Sequence, residues 1–219
     1  MEELVSIIIP AHNEEKFIAK CLESIKKQSY KNIETIVVCN GCTDNTTAVA
    51  RRFTENVFEL RQANVSAARN FGAKKAKGNT FAFFDSDSVM KKDLTAKVVY
   101  WIKKGYVGGT TATKPLEDIA FARFWWWLGN CIFNYIYLTP SGFLFSKASK
   151  FPGYNPKHRI GEDTHVLLAL KKKGRIKYIS NSCIYTSTRR FEKDGYFRTL
   201  IKQVSGFLFS KNFKYRAVR

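Results

Sequence analysis

Val5-Ser6-Ile7-Ile8-Ile9-Pro10-Ala11-His12-Asn13-Glu14 decides the fold: an apolar run of strand length that ends abruptly in polar residues. Strand-like runs recur at Ile33 to Cys39, Asn56 to Leu60 and Thr80 to Phe84. Between them lie helical patterns at Glu14 to Gln28, Asp44 to Phe53 and Ser66 to Ala76, the first with apolar Phe17, Ile18, Cys21, Leu22 and Ile25 on one face. This alternation predicts an α/β fold, a Rossmann-like and mostly parallel central sheet with helices on both faces. Ligands of such sheets bind beyond the carboxyl ends of the strands. Those positions are polar here: Pro10 to Glu14, Asn40-Gly41-Cys42-Thr43-Asp44 and Asp85-Ser86-Asp87-Ser88.

The second half is less regular. Helical patterns are expected at Lys92 to Lys104, Ile119 to Tyr137 and Asp163 to Lys173. Strand-like pieces lie near Val107 to Thr113, Gly142 to Phe145, Ile176 to Ser180 and Cys183 to Thr188. A length of 219 residues suits one domain, and 45% hydrophobic residues supply a core, which excludes a disordered or collagen-like chain. The net charge of +19 points to phosphorylated ligands, acidic membrane or polyanions. Residues 1–110 carry 17 Lys and Arg against 12 Asp and Glu, whereas residues 111–219 carry 20 against 6. The two parts therefore face different partners.

Five scattered cysteines, an odd number, point to a reducing compartment. The acidic start Met1-Glu2-Glu3 runs straight into a strand, so no removable leader is expected. The long apolar stretch Ile119 to Leu138 is interrupted by Arg123, Asn130 and Asn134, which argues against a membrane span. Cytoplasmic residence, free or held peripherally on the cytoplasmic face of a membrane, is the expectation.

Phe81-Ala82-Phe83-Phe84-Asp85-Ser86-Asp87 places two carboxylates at the rim of a sheet, where hard oxygen ligands can hold Mn2+ or Mg2+ with an attached diphosphate. Turn and N-cap chemistry explains the same spacing. Gly161-Glu162-Asp163 puts two acids at a helix start, where they also serve the helix dipole. Arg189 and Arg190 follow a strand with guanidiniums suited to diphosphate oxygens, or to solvent.

Taken in order, these segments resemble family 2 glycosyltransferases of the GT-A fold. The segments are Ser6 to Glu15, Asn40 to Thr46, Ser66-Ala67-Ala68-Arg69-Asn70-Phe71-Gly72, Asp85-Ser86-Asp87, Gly161-Glu162-Asp163 and Arg189-Arg190-Phe191. The resemblance implies an inverting transferase taking a UDP-sugar or GDP-sugar. Pro10, Ala11, His12, Asn13 and Glu14 would surround base and ribose, and Asn40 would stand where the family has a base-contacting Asp. Arg69, Arg189 and Arg190 would lie at the nucleotide, and Asp85, Ser86 and Asp87 would form the DxD segment, with Asp87 and Asp85 on the metal. Asp163 would be the catalytic base and Glu162 its neighbour at the acceptor. The whole chain would be one catalytic domain, residues 1–110 binding the nucleotide-sugar and 111–219 the acceptor.

The second loop departs from the family's Asp-Asp-Gly-Ser, reading Cys39-Asn40-Gly41-Cys42, which leaves base preference open. Cys39-x-x-Cys42 also reads as a redox pair. Rival readings are a basic nucleic-acid-binding module and a nucleotidyltransferase-like domain; the acid pairs at strand ends favour the sugar transferase, with no nucleic acid as partner. Three adjacent residues, Trp125-Trp126-Trp127, cannot all face inward on one helix. The basic amphipathic tail Tyr196 to Arg219 suits an anionic membrane or packing on the domain. A glycan or a lipid-linked acceptor is the expectation, since a lipid-linked phosphate or glycan would give the basic half and the exposed aromatics one explanation.

Overall fold

A computed structural model describes residues 2–136, 142–158, 161–199 and 201. The chain runs β1 (Val5–Ala11), α1 (Ile18–Lys26), β2 (Ile33–Asn40), α2 (Thr46–Arg51), β3 (Val57–Leu60), α3 (Val65–Lys75), β4 (Thr80–Phe84), β5 (Ser88–Met90) and α4 (Leu94–Lys103). It continues through β6 (Gly108–Pro115), α5 (Ala120–Ile136), β7 (Phe143–Lys147), α6 (Glu162–Lys171), β8 (Ile176–Thr186) and α7 (Arg189–Asp194).

One eight-stranded sheet runs through both parts of the chain in the order β3-β2-β1-β4-β7-β6-β8-β5. Strands β1 to β4 pair in parallel, as the βαβ alternation predicts. β7 is inserted antiparallel between β4 and β6, β6 pairs in parallel with β8, and β5 lies antiparallel on β8. Two features differ from the sequence reading. The three-residue β5 is too short to carry a period. The two strand-like pieces around Ser180 to Ser182 form one continuous β8, whose register with β6 shifts between Thr111 and Ala112.

The core is explained by period-two alternation on strands buried from both sides. Val5, Ile7 and Ile9 of β1 face one layer with Ala82, Phe84, Phe143 and Phe145, under α1 and α4. Ile8 faces the other with Phe81, Phe83 and Leu144, against Val166, Leu167 and Leu170 of α6. α3 covers β1 and β2 on that second side. Pro10 is tolerated inside β1 because pairing with β4 ends at Ile8, leaving β2 as the neighbour there.

The expected helix from Glu14 begins at Ile18, because Glu14 to Phe17 form a turn in which the Glu14 carbonyl accepts from the amides of Phe17 and Ile18. No helix among the described residues is long and apolar enough to cross a membrane. The three tryptophans divide as helix geometry requires: Trp126 is buried and Trp127 exposed. Most of the expected amphipathic tail, from Lys202 onward, lies outside the described residues, as do Tyr137 and Leu138.

Candidate active site

The carboxyl ends of β1 and β4, the start of α6 and the start of α7 meet in one place. Arg69 organises the inner part of it. The side chain reaches inward from α3, whose N-terminus is capped by Asn64 accepting from the Ala67 amide at 2.9 Å. Arg69 is buried, 3% exposed, among three carboxylates. Its Nη2 donates to Asp85 Oδ1 at 2.8 Å, and its Nη1 to Glu162 Oε1 at 2.8 Å, with Asp163 Oδ1 at 3.3 Å. A buried guanidinium is stable only when paired in this way. Burial alone lowers its proton affinity, but Asp163 and the other carboxylates more than compensate and hold it charged.

Asp163 feels the opposite balance. Burial pushes its carboxyl up to about 7; the Arg69 charge opposes this, and the charges of Glu162 and Asp85 add to it. Tyr154 donates its hydroxyl to Asp163 Oδ1 at 2.9 Å, and the Arg69 guanidinium lies over the Tyr154 ring, 5.0 Å from its centroid. Asn70, next to Arg69, holds the Tyr154 backbone from both sides: its Nδ2 donates to the Tyr154 carbonyl at 2.7 Å, and its Oδ1 accepts from the Tyr154 amide at 2.8 Å. The sequence reading missed Tyr154. It sits in an irregular loop, Phe151-Pro152-Gly153-Tyr154, where the sequence signal is an aromatic with a polar tip after a Pro-Gly pair; the structure places Gly153 at positive φ.

The outer part is built on Arg189, at the start of α7. Its guanidinium pairs with Glu14 Oε1, donates to Asp87 Oδ2 at 3.2 Å and lies over the Phe17 ring at 4.5 Å. Burial drives the Glu14 carboxyl up to about 7; Arg189 opposes this, and the charges of Asp87 and Asp85 reinforce it. Glu14 Oε2 is buried without a hydrogen-bond partner among the described residues. An acceptor left open at such cost is chemically able to take a hydrogen bond from a hydroxyl. Asp85 and Asp87 thus belong to different pairings, one with Arg69 and one with Arg189, and Ser86 between them is buried. The side chain of Arg190 lies outside the described residues.

The second loop forms the remaining wall. Pro10 and Ala11 are buried in β1. His12 Nδ1 donates to the Asn40 carbonyl at 2.8 Å. Asn13, with φ 55, is the one non-glycine residue with positive φ among the described residues, and it is bound to Thr43 through the Thr43 amide at 2.8 Å. Asn40 ties the loops together: its Nδ2 donates to the Ala11 carbonyl at 2.9 Å and its Oδ1 accepts from the Asn64 amide at 3.0 Å. The amide that replaces the expected Asp therefore joins β1 to the α3 cap. Cys39 and Cys42 are free thiols; Cys42 Sγ donates to the Ala11 carbonyl at 3.4 Å, and the neighbouring Cys39 thiol draws Cys42 down to about 6 against the effect of burial.

The chain is similar to known proteins in sequence and in fold. Residues 6–160 match the model of the family described as Glycosyl transferase family 2. The chain is similar to glycosyltransferase GlyA of Streptococcus pneumoniae, 38% identical over 146 residues, covering 63% of this chain and 20% of that protein. It is also similar to GlyG of the same organism, 37% identical over 100 residues, covering 43% of this chain and 33% of that protein. The chain thus matches only a fifth to a third of these relatives' length. Among solved structures, mannosyltransferase PcManGT from Pyrobaculum calidifontis in complex with GDP-Man and Mn2+ superposes with a TM-score of 0.71 at 17% identity, covering 99% of this chain and 66% of that one. S. aureus TarS 1-349 in complex with UDP-GlcNAc gives 0.66 at 18% identity, covering 84% and 58%. The architecture is the GT-A fold.

Proposed function

The chain belongs to glycosyl transferase family 2, and from that premise we propose that it moves a sugar from a nucleoside diphosphate to an acceptor with inversion at the anomeric carbon. One observation carries the reading. Asp163, lifted to about 7, is held by Arg69 and Tyr154 within one buried network that also contains Asp85 of the proposed donor loop. A base poised near neutral pH beside the donor loop is what attack by a hydroxyl requires.

In this reading the acceptor oxygen attacks the anomeric carbon as Asp163 takes its proton, and the bond from that carbon to the diphosphate oxygen breaks. Direct displacement inverts the configuration, by the geometric reasoning used for inverting glycosidases. Among the described residues Tyr154 and Arg69 both meet Asp163 at Oδ1, and Oδ2 is assigned to the acceptor proton in this scheme. Glu162 stands beside it on the acceptor side. His12, Asn13, Glu14 and Asn40 border the nucleoside. The whole chain acts as one catalytic domain in this scheme, the region after residue 110 shaping the acceptor side.

Asp85 and Asp87 fit a divalent ion chemically, as hard carboxylate oxygens. No group of three His, Cys, Asp or Glu among the described residues forms a complete metal cage. The pair therefore suits Mn2+ or Mg2+ completed by diphosphate oxygens, the usual manner in which Mg2+ is held. A bound ion supplies Lewis-acid stabilisation of the departing diphosphate. Arg189, with Arg190 following it, adds fixed positive charge on the same side. The donor class, UDP-sugar or GDP-sugar, is the one named in the two structural neighbours. The acceptor we propose is a glycan or a lipid-linked phosphate or glycan.

The test is nucleotide release from a panel of UDP-, GDP- and dTDP-sugars with and without Mn2+. Slow metal-dependent hydrolysis of one class is expected, with a loss of about 100-fold or more in Asp87→Ala. Hydrolysis unaffected by chelator and by Asp87→Ala would remove the metal from the scheme.

A further inference from the structure

The largest concentration of exposed aromatic surface lies outside the site. α5 turns Ala122 and Trp126 inward and Phe121, Phe124 and Trp127 outward, Trp127 being 61% exposed. Phe197, 68% exposed, and Ile201 join them from just beyond Gly195. The two segments are in contact: the Phe121 ring meets Tyr196 edge-on at 4.9 Å, and Trp125 meets Phe197 at 5.0 Å. Phe124 and Trp127 lie 6.0 Å apart. Exposed apolar side chains thus cluster along α5 and the segment after Gly195 into an apolar ridge, denser than the scattered exposure normal for a soluble surface.

The ridge is mechanically joined to the candidate active site. Trp126, on the inner side of α5, packs on Phe191 at 4.6 Å. Phe191 lies on α7, two residues from Arg189, whose guanidinium holds Glu14 and Asp87. Whatever the ridge rests on is therefore one short helix away from the donor-side charges.

Charge identifies the occupant. The sequence leaving the ridge, residues 202–219, contains five cations, Lys202, Lys211, Lys214, Arg216 and Arg219, and no acid, interleaved with Phe207, Phe209, Phe213 and Tyr215. A second copy of a chain with net charge +19 would bring a like-charged segment against this one. An anionic bilayer offers what both features need, apolar depth for Phe and Trp rings and phosphate for Lys and Arg. We propose that Phe121, Phe124, Trp127, Phe197 and Ile201 form a docking face for an anionic phospholipid membrane. The docking face stands independently of the sugar chemistry, and its test uses no donor.

The experiment is flotation of the full chain with vesicles of phosphatidylcholine alone or with about one-third phosphatidylglycerol. Binding to the anionic vesicles at least about tenfold tighter than to the neutral ones is expected, weakening as salt is raised. Phe124→Ser/Trp127→Ser should lose binding about tenfold or more at an unchanged unfolding temperature, both positions being exposed. Trp127→Ser alone serves if the double variant does not fold. Lys211→Gln/Lys214→Gln/Arg216→Gln should erase the preference for anionic lipid. Equal binding to both vesicles, or undiminished binding by the ridge variants, overturns the proposal. So does a concentration-dependent dimer that the ridge variants dissociate while the wild type ignores vesicles.

Discussion

At the residue scale the decisive quantity is the proton affinity of Asp163. Its carboxyl is raised to about 7 first by burial, with Arg69 holding it down and Glu162 and Asp85 pushing it up. A base must be deprotonated to act, so transfer should rise with pH through about 7 and level off above it. A pH–rate profile of kcat/KM checks this; a flat profile from pH 5 to 9 would count against Asp163. Asp163→Asn should keep nucleotide-sugar binding in calorimetry and lose transfer by about 10²–10⁴-fold. Transfer at the unmutated rate would falsify the base assignment. Asp163, Glu162 and Asp85 were legible in the sequence as types at strand and helix ends, and Arg69, inside α3, only through the family resemblance. Tyr154 was not, because its role comes from the Asn70 clamp, which joins two residues 84 positions apart.

At the scale of elements, close approach decides the fit. Gly109 of β6 lies where an added Cβ would stand 1.8 Å from the Lys177 carbonyl oxygen of β8. Gly109→Ala should therefore destabilise by about 3 kcal/mol or more, read as a lower urea midpoint, by separating the pair whose second strand leads into Arg189. Gly72 of α3 presents a milder case, since its Cβ would come within 2.4 Å of Ile8 Cγ2, a side-chain methyl. Gly72→Ala should cost about 1–3 kcal/mol and lift the helix that carries Arg69. Apart from the three-residue β5, the first-half elements followed directly from apolar runs of strand length and helical spacing. Antiparallel β7 is different: Phe143-Leu144-Phe145 reads as a strand, but nothing local states its direction or its place between β4 and β6.

At the scale of the molecule, opposite charges are segregated. A chain with net charge +19 gathers Glu14, Asp85, Asp87, Glu162 and Asp163 around two arginines. Two of these acids are protonated more readily folded than free, with values near 7 against ordinary values of 4.5 for Glu14 and 3.8 for Asp163. The folded state thus binds more protons, and its contribution is full below the ordinary values and lost as pH rises through about 7. Without metal or donor, the unfolding temperature should fall between pH 5 and pH 8, and Glu14→Gln/Asp163→Asn should flatten that slope, removing a stability difference across the range on the order of a few kcal/mol. Differential scanning calorimetry across that range decides it; a double variant with the parental slope removes these groups as its cause. By itself the sequence determined the α/β order, the polar strand ends and the split of charge, because strand and helix periods and residue type are local properties. Only the tertiary structure decided that Arg69 meets acids 16 and 93 positions away, that Arg189 reaches back to Glu14, and that Trp127 stays outside while Trp126 turns in. Those meetings depend on which strands lie side by side and which helix face the sheet accepts, and both are settled by packing across the whole chain.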